Sequence, residues 1–161
     1  MVVAVTNAQR QASVRVGQVD RFARQAIRQL RLRARGTMAI TLISGQRMRR
    51  LNRRALGHNR PTDVLTFRYD GEPIIGDILI APAAARAYAK AHGLAYEEEL
   101  CRYVVHGLLH WMGHEDATPA QRRAMRALEN HLLMKCGMRH AVCGVTRSHS
   151  ALRIPHSALG C

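Results

Sequence analysis

His106-Gly107-Leu108-Leu109-His110-Trp111-Met112-Gly113-His114-Glu115-Asp116 sets two histidines four residues apart, a glycine three further on and an acid three beyond that. In an α-helix, residues i and i+4 lie on one face one turn apart, so His106 and His110 can aim their imidazoles at one point. Gly113 suits the left-handed residue that ends a helix, after which the chain can turn back and bring either Asp116 or His114 to the same point. Three nitrogen or oxygen ligands with a fourth position open is the coordination of a catalytic zinc; closed structural sites use four, usually including cysteines. A histidine pair alone could be two polar groups on a half-buried face in a chain that holds nine histidines. The glycine and the acid at their offsets favour metal. The residue after the first histidine is Gly107, where H-E-x-x-H metallopeptidases carry their glutamate base, so a zinc peptidase of that type lacks its base here.

Outward from this stretch the chain alternates strand and helix signals. Upstream, Glu97, Glu98 and Glu99 open the histidine-bearing helix, acids suited to a helix N-terminus. Alanine-rich residues 83–91 read as a helix closed by Gly93. Downstream, Thr118-Pro119-Ala120-Gln121 is a capping box with proline at the first helical position, starting a last helix that Gly137 stops. The expected ligand-bearing turn is therefore pinned between two well-marked helices.

Towards the N-terminus, residues 2–5 read as a first strand, and Val19, Phe22, Ala23, Ala26, Ile27 and Leu30 recur at helical spacing in a basic amphipathic helix ended by Gly36. A core-facing helix with a solvated basic face accounts for it better than a dedicated RNA-binding helix. Residues 37–43 read as a strand, and Ser44 caps a short helix carrying Met48 and Leu51. Turns at residues 61–63 and 70–73 bound two strands, 64–67 and 76–80, expected to pair. The order predicts an α+β fold in which a small mixed sheet packs against helices, one of them carrying the His-x3-His site. Residues 1–138 form the expected single domain and residues 139–161, which lack periodicity, a flexible basic tail.

The 161 residues hold 25 Lys and Arg against 11 Asp and Glu, a formal charge of +14. A global, arginine-dominated excess points to nucleic acid as partner, because arginine matches phosphate bidentately. Cys101, Cys136, Cys143 and Cys161 form no C-x-x-C pair, so no disulfide framework or cysteine zinc site is expected and a reducing compartment fits. No basic segment precedes a long apolar run at the N-terminus and no segment reaches the length of a membrane span, so a cytoplasmic protein is expected.

Leu51-Asn52, then Pro61-Thr62-Asp63-Val64-Leu65-Thr66-Phe67, Gly76-Asp77-Ile78, and His106-Gly107-Leu108-Leu109-His110 with Gly113 resemble, in that order, the YbeY-type endoribonucleases, or rRNA maturation factors. The match covers most of residues 20–137. The resemblance implies an α+β fold, a three-ligand zinc site in a basic cleft, cleavage of single-stranded RNA, processing of the 16S rRNA 3′ end, ribosome quality control, and association with the small ribosomal subunit. Two departures stand out. The family carries a third histidine where this chain has Asp116, with His114 two residues earlier; Asp116 fits the offset and His114 the ligand type. Leu56 stands where the family has an arginine, with Arg53, Arg54 and Arg60 close by.

Three functions follow as expectations. The first is metal-assisted RNA hydrolysis with zinc held by His106, His110 and Asp116 or His114, and Glu115 as either a proton carrier or a solvated turn acid. The second is a catalytically weak, ribosome-binding relative, and the third, less favoured, a zinc peptidase. Asp77 reads as either a site residue or a strand-end acid. His92 and His131 read as surface or helix-packing histidines, and His58 lies in the loop that the resemblance places near the cleft.

Overall fold

A computed structural model describes residues 1–56, 62–71, 73–138 and 152–154. The elements run β1 (Val2–Asn7), α1 (Val16–Gln29), β2 (Thr37–Leu42), α2 (Gly45–Leu56), β3 (Val64–Arg68), β4 (Ile74–Ile80), α3 (Pro82–His92), α4 (Tyr96–Met112), α5 (Pro119–Lys135) and β5 (Leu152–Ile154). They build a five-stranded mixed sheet in the order β1-β2-β4-β3-β5. Strands β1, β2 and β4 are parallel, and β3 runs antiparallel to β4 and parallel to β5. The expected pairing of 64–67 with 76–80 is present, with Leu65 opposite Leu79 and Thr66 opposite Ile78.

Alternation along β3 and β4 divides the molecule into two apolar layers, because successive side chains leave opposite faces of a sheet. Val64, Ile78 and Ile80 join α1, α4 and α5 in the main core, around Phe22, Ala26, Tyr103, Leu108 and Leu133. Leu65, Phe67 and Leu79 face the other way and meet Met48, Leu51 and Ala55 of α2. Helices α4 and α2 thus lie on opposite faces of the same strands.

Gly107 lets α4 approach the sheet: a Cβ built there falls 2.4 Å from Ile78 Cγ2. Thr66 Oγ1 donates to the Gly107 carbonyl at 3.3 Å and Trp111 Nε1 to the Ile75 carbonyl at 2.9 Å, so the helix is tied to β3 and β4 at two levels. Among the described residues no helix is long and apolar enough to cross a membrane.

One expectation needs revision. Gly36 does not end the first helix. Arg31 does so with φ 53°, its neighbour Leu32 donating to the Ile27 carbonyl at 3.2 Å, the six-to-one bond of a Schellman closure. Gly36 instead leads into β2 and accepts from Val2 N at 2.9 Å. The expected tail over 139–161 lies outside the described residues except for 152–154, which pair with Leu65–Phe67 as β5.

Candidate metal centre

Helix α4 is buried along nearly its whole length, and His106 and His110 are 1% and 0% exposed. Their Nε2 atoms face each other at 3.2 Å with the rings nearly perpendicular. Gly113 ends the helix with φ 104°, and His114 N donates to the Leu109 carbonyl at 3.0 Å, which reverses the chain. The reversal delivers Asp116, with Oδ2 3.9 Å from His106 Nε2 and Oδ1 3.8 Å from His110 Nε2. Arg122 on α5 holds the returning strand, donating to the Asp116 and Ala117 carbonyls at 3.1 and 2.7 Å. The expected capping box is formed: Gln121 N donates to Thr118 Oγ1 at 3.2 Å and Thr118 N to Gln121 Oε1 at 2.9 Å.

The donor atoms of His106, His110 and Asp116 all lie within 4.8 Å of one another. The carboxylate distances are too long for hydrogen bonds. Two ligands about 2.1 Å from one tetrahedral ion stand roughly 3.4 Å apart, so the three separations suit a cation between them with little adjustment. Electrostatics agree. Burial, reinforced by His106, pushes His110 down to about 3, so its imidazole is a neutral lone-pair donor. Burial raises the Asp116 carboxyl above its ordinary value, a penalty on negative charge that a bound cation reverses.

A buried acid network backs the first ligand. Glu129 of α5, 1% exposed, places Oε1 2.7 Å from His106 Nδ1. Accepting the Nδ1 proton leaves the His106 Nε2 lone pair facing the centre, the tautomer a metal needs. Glu129 Oε2 is met by Arg102 at 3.5 Å and by Arg126 at 3.4 Å. Arg102, itself 4% exposed, also reaches Asn130 Oδ1 at 2.7 Å and Glu99 Oε2 at 3.4 Å. None of these residues stands out in the histidine motif. The available signal is an acid at position 129 on the helical face that Met125, Leu132 and Leu133 bury.

The other expected site residues sort as follows. His114 and Glu115 are exposed, and neither joins the donor group. Asp77 faces the α2 layer, where Tyr69 Oη donates to its Oδ2 at 3.4 Å. Asn52 is buried, and Asp63 accepts from Tyr103 Oη at 3.1 Å, linking the start of β3 to α4. Arg53 and Arg54 are exposed on α2, in the layer on the far face of the sheet from α4. His58, Arg60 and Pro61 lie outside the described residues. His92 stacks on Tyr88 and is exposed, as is His131, in line with surface or packing roles.

A family model described as Endoribonuclease YbeY matches residues 4–137. This chain belongs to the YbeY endoribonuclease family. It is 36% identical over 99 residues to the YbeY of Bacteroides thetaiotaomicron, covering 61% of this chain and 72% of that protein. With the YbeY of Chlorobaculum tepidum it shares 35% over 106 residues, covering 65% and 76%. The match to the YbeY of Myxococcus xanthus is 36% over 108 residues and spans 63% of this chain but only 37% of that longer relative. The solution structure of TM1509 from Thermotoga maritima has the same fold, with a TM-score of 0.58 at 20% identity over 84% of this chain and 89% of that one. Membership of the YbeY family supports a nuclease role.

Proposed function

We propose that this YbeY-family protein is a metal-dependent endoribonuclease that cuts single-stranded RNA, with zinc held by His106, His110 and Asp116. The observation that carries the reading is the convergence of three donors from α4 and the turn after it, in a chain of an endoribonuclease family. Two imidazoles and one carboxylate are a donor set zinc accepts, and three protein ligands leave a position for substrate. A metal so held supplies Lewis acidity towards a phosphoryl oxygen and an activated nucleophile at neutral pH. The protein's own part is to fix the donors: Glu129 orients His106, Arg122 braces the Asp116 turn, and Arg122 and Arg126 bring positive charge to the site from α5. The biological substrate proposed is ribosomal RNA, at the 3′ end of the 16S molecule and in ribosome quality control, with the small ribosomal subunit as partner and the cytoplasm as location.

The test is cleavage of a single-stranded RNA by purified protein with metal content measured in parallel, for the native chain and for His110→Ala. Chelator-sensitive cutting lost together with zinc in the variant is the expected result. Bound zinc without cutting would instead support a second reading, a ribosome-binding relative that hydrolyses little. That reading is favoured by Asp116 in place of the family's histidine and by Leu56 in place of its arginine. RNA binding indifferent to chelators would accompany it, because phosphate contacts do not require the metal. A peptidase is disfavoured on steric grounds, since the position that would carry the glutamate base is packed against Ile78 with no room for a side chain.

A further inference from the structure

Helix α2 carries Arg47, Arg49, Arg50, Arg53 and Arg54 in twelve residues and no acid. All five are exposed, and among the described residues none of their guanidinium groups has a hydrogen-bond or ion-pair partner. Several arginines elsewhere in the molecule are occupied: Arg24 pairs with Asp20 at 2.8 Å, Arg102 with Glu99 and Glu129, and Arg122 with backbone carbonyls, while Arg21, Arg28 and Arg33, on α1 and just after it, are also exposed. The crowding on α2 works against the helix. Arg47 and Arg50, Arg49 and Arg53, Arg50 and Arg53, and Arg50 and Arg54 are like charges three or four residues apart, where they repel. The first turn, at the positive end of the helix dipole, holds Arg47 and no acid. A local choice that opposes the local structure marks a functional surface when something outside the fold resolves the conflict.

The geometry says what resolves it. Gln46, Arg49, Arg50 and Arg53, successive positions on one helical stripe, line a shallow depression of about 350 Å³. Arg49 and Arg53 stand about one helical turn apart, roughly 6 Å along the axis at about 1.5 Å per residue, with Arg50 between them on the same stripe. The opposite stripe, Met48, Leu51 and Ala55, is spent on the sheet against Leu65 and Phe67. Among the described side chains of α2 no apolar face is left for insertion into a bilayer, which an interfacial membrane helix requires.

We infer that the exposed arginine face of α2 is a binding surface for the phosphodiester backbone of a single RNA strand. It lies on the face of the sheet opposite α4, so it holds RNA at a distance from the metal centre. The inference rests on the RNA reading above and adds where the strand is gripped.

The test compares two triple variants of the full-length, metal-loaded protein: Arg49→Gln/Arg50→Gln/Arg53→Gln, and Arg21→Gln/Arg28→Gln/Arg33→Gln, which removes the same charge from the exposed face of α1 and the segment after it. Binding of an end-labelled oligouridylate is titrated against salt, and the length of the strand is checked after each titration so that binding is read apart from cutting. The α2 variant should lose at least about tenfold in affinity and flatten the slope of log K against log salt by about 2, three contacts at roughly 0.7 each. Metal content and thermal unfolding should not change, and the α1 variant should shift the slope by much less. Equal losses in the two variants would show a diffuse charge effect and overturn the inference while leaving the endoribonuclease reading intact. Preferential binding of α2 to phosphatidylserine vesicles, with no oligonucleotide binding, would overturn both.

Discussion

Helices α4 and α2 flank the same two strands and hold their charged side chains under opposite conditions. On α4, His106, His110, Arg102 and Glu99 are all nearly sealed from solvent, and a chain of contacts places most of their polar groups: Glu129 on His106, Arg102 on Glu129, Asn130 on Arg102. On α2, five exposed arginines have no hydrogen-bond or ion-pair partner among the described residues. Buried polar groups act as a unit, because each one left unsatisfied carries its full desolvation penalty. Exposed charges act nearly independently and through a field that salt screens. Substitutions on α4 should therefore be close to all-or-none and those on α2 graded and salt-dependent.

The largest effect expected is at the donors themselves. Asp116→Ala and His110→Ala should each abolish metal retention and RNA cleavage, whereas His114→Ala should leave both close to native, since His114 is exposed and outside the donor group. Metal analysis after dialysis decides it. Retention by Asp116→Ala with loss in His114→Ala would transfer the third ligand to His114.

Next is the support behind the donors. Glu129→Gln keeps the shape but weakens the acceptor on His106 Nδ1, and outer-shell changes of this kind cost about 10–100-fold in metal affinity. Glu129→Ala also strips a partner from buried Arg102, and breaking a buried pair costs about 3–5 kcal/mol. Competition titration with a chelating dye measures the first and urea unfolding the second. Native metal affinity in Glu129→Gln would demote Glu129 to a packing residue.

A pH effect of intermediate size follows from His110. Its folded value near 3 lies below the ordinary 6.5, so the folded state holds it neutral while the unfolded chain takes up a proton. Stability is then full above about pH 6.5 and lost as pH falls towards 3, at no more than about 1.4 kcal/mol per unit. Asp116, raised by burial, opposes this in the metal-free protein, because the fold binds its proton more tightly than the unfolded chain does. Metal-free Asp116→Asn isolates the histidine, and its urea midpoint should fall between pH 6.5 and 5. A flat profile would mean that His110 is wetter than its surroundings imply.

The contrast between the helices also explains what could be read from the chain. The histidine spacing, Gly113 as helix end and the Thr118 capping box are local, and each appears in the structure where its few residues predict it. The pairing of β3 with β4 was legible for the same reason, a short turn between two apolar runs. Glu129 was not, because it lies 23 residues from His106 and meets it only through the packing of α5 on α4. The placement of β2 between β1 and β4, and of β5 beside β3, depends on long-range register that no local pattern encodes. Gly36 misled because a glycine near a helix end usually closes it, and here Arg31 accepts the left-handed conformation instead. The choice between Asp116 and His114 needed the actual path of the turn, in which the exposed His114 stays outside the donor group and Asp116 is brought back to the histidines.

The smallest effect is the sharpest test of the comparison, since it uses one chemical change at two places. Arg102→Gln removes a guanidinium that sits among Glu98, Glu99 and Glu129, and takes from these buried carboxylates the cation they share, with Arg126 still on Glu129. That should cost about 3–5 kcal/mol. Arg50→Gln removes a guanidinium with no partner among the described residues and relieves three like-charge neighbours, so unfolding should move by less than about 0.5 kcal/mol. Its effect should appear only with RNA present, as a change of about 0.7 in the salt slope of binding. If Arg50→Gln were as destabilising as Arg102→Gln, the α2 arginines would be part of the fold's own electrostatic framework, and the distinction between a sealed centre and an open binding face would be lost.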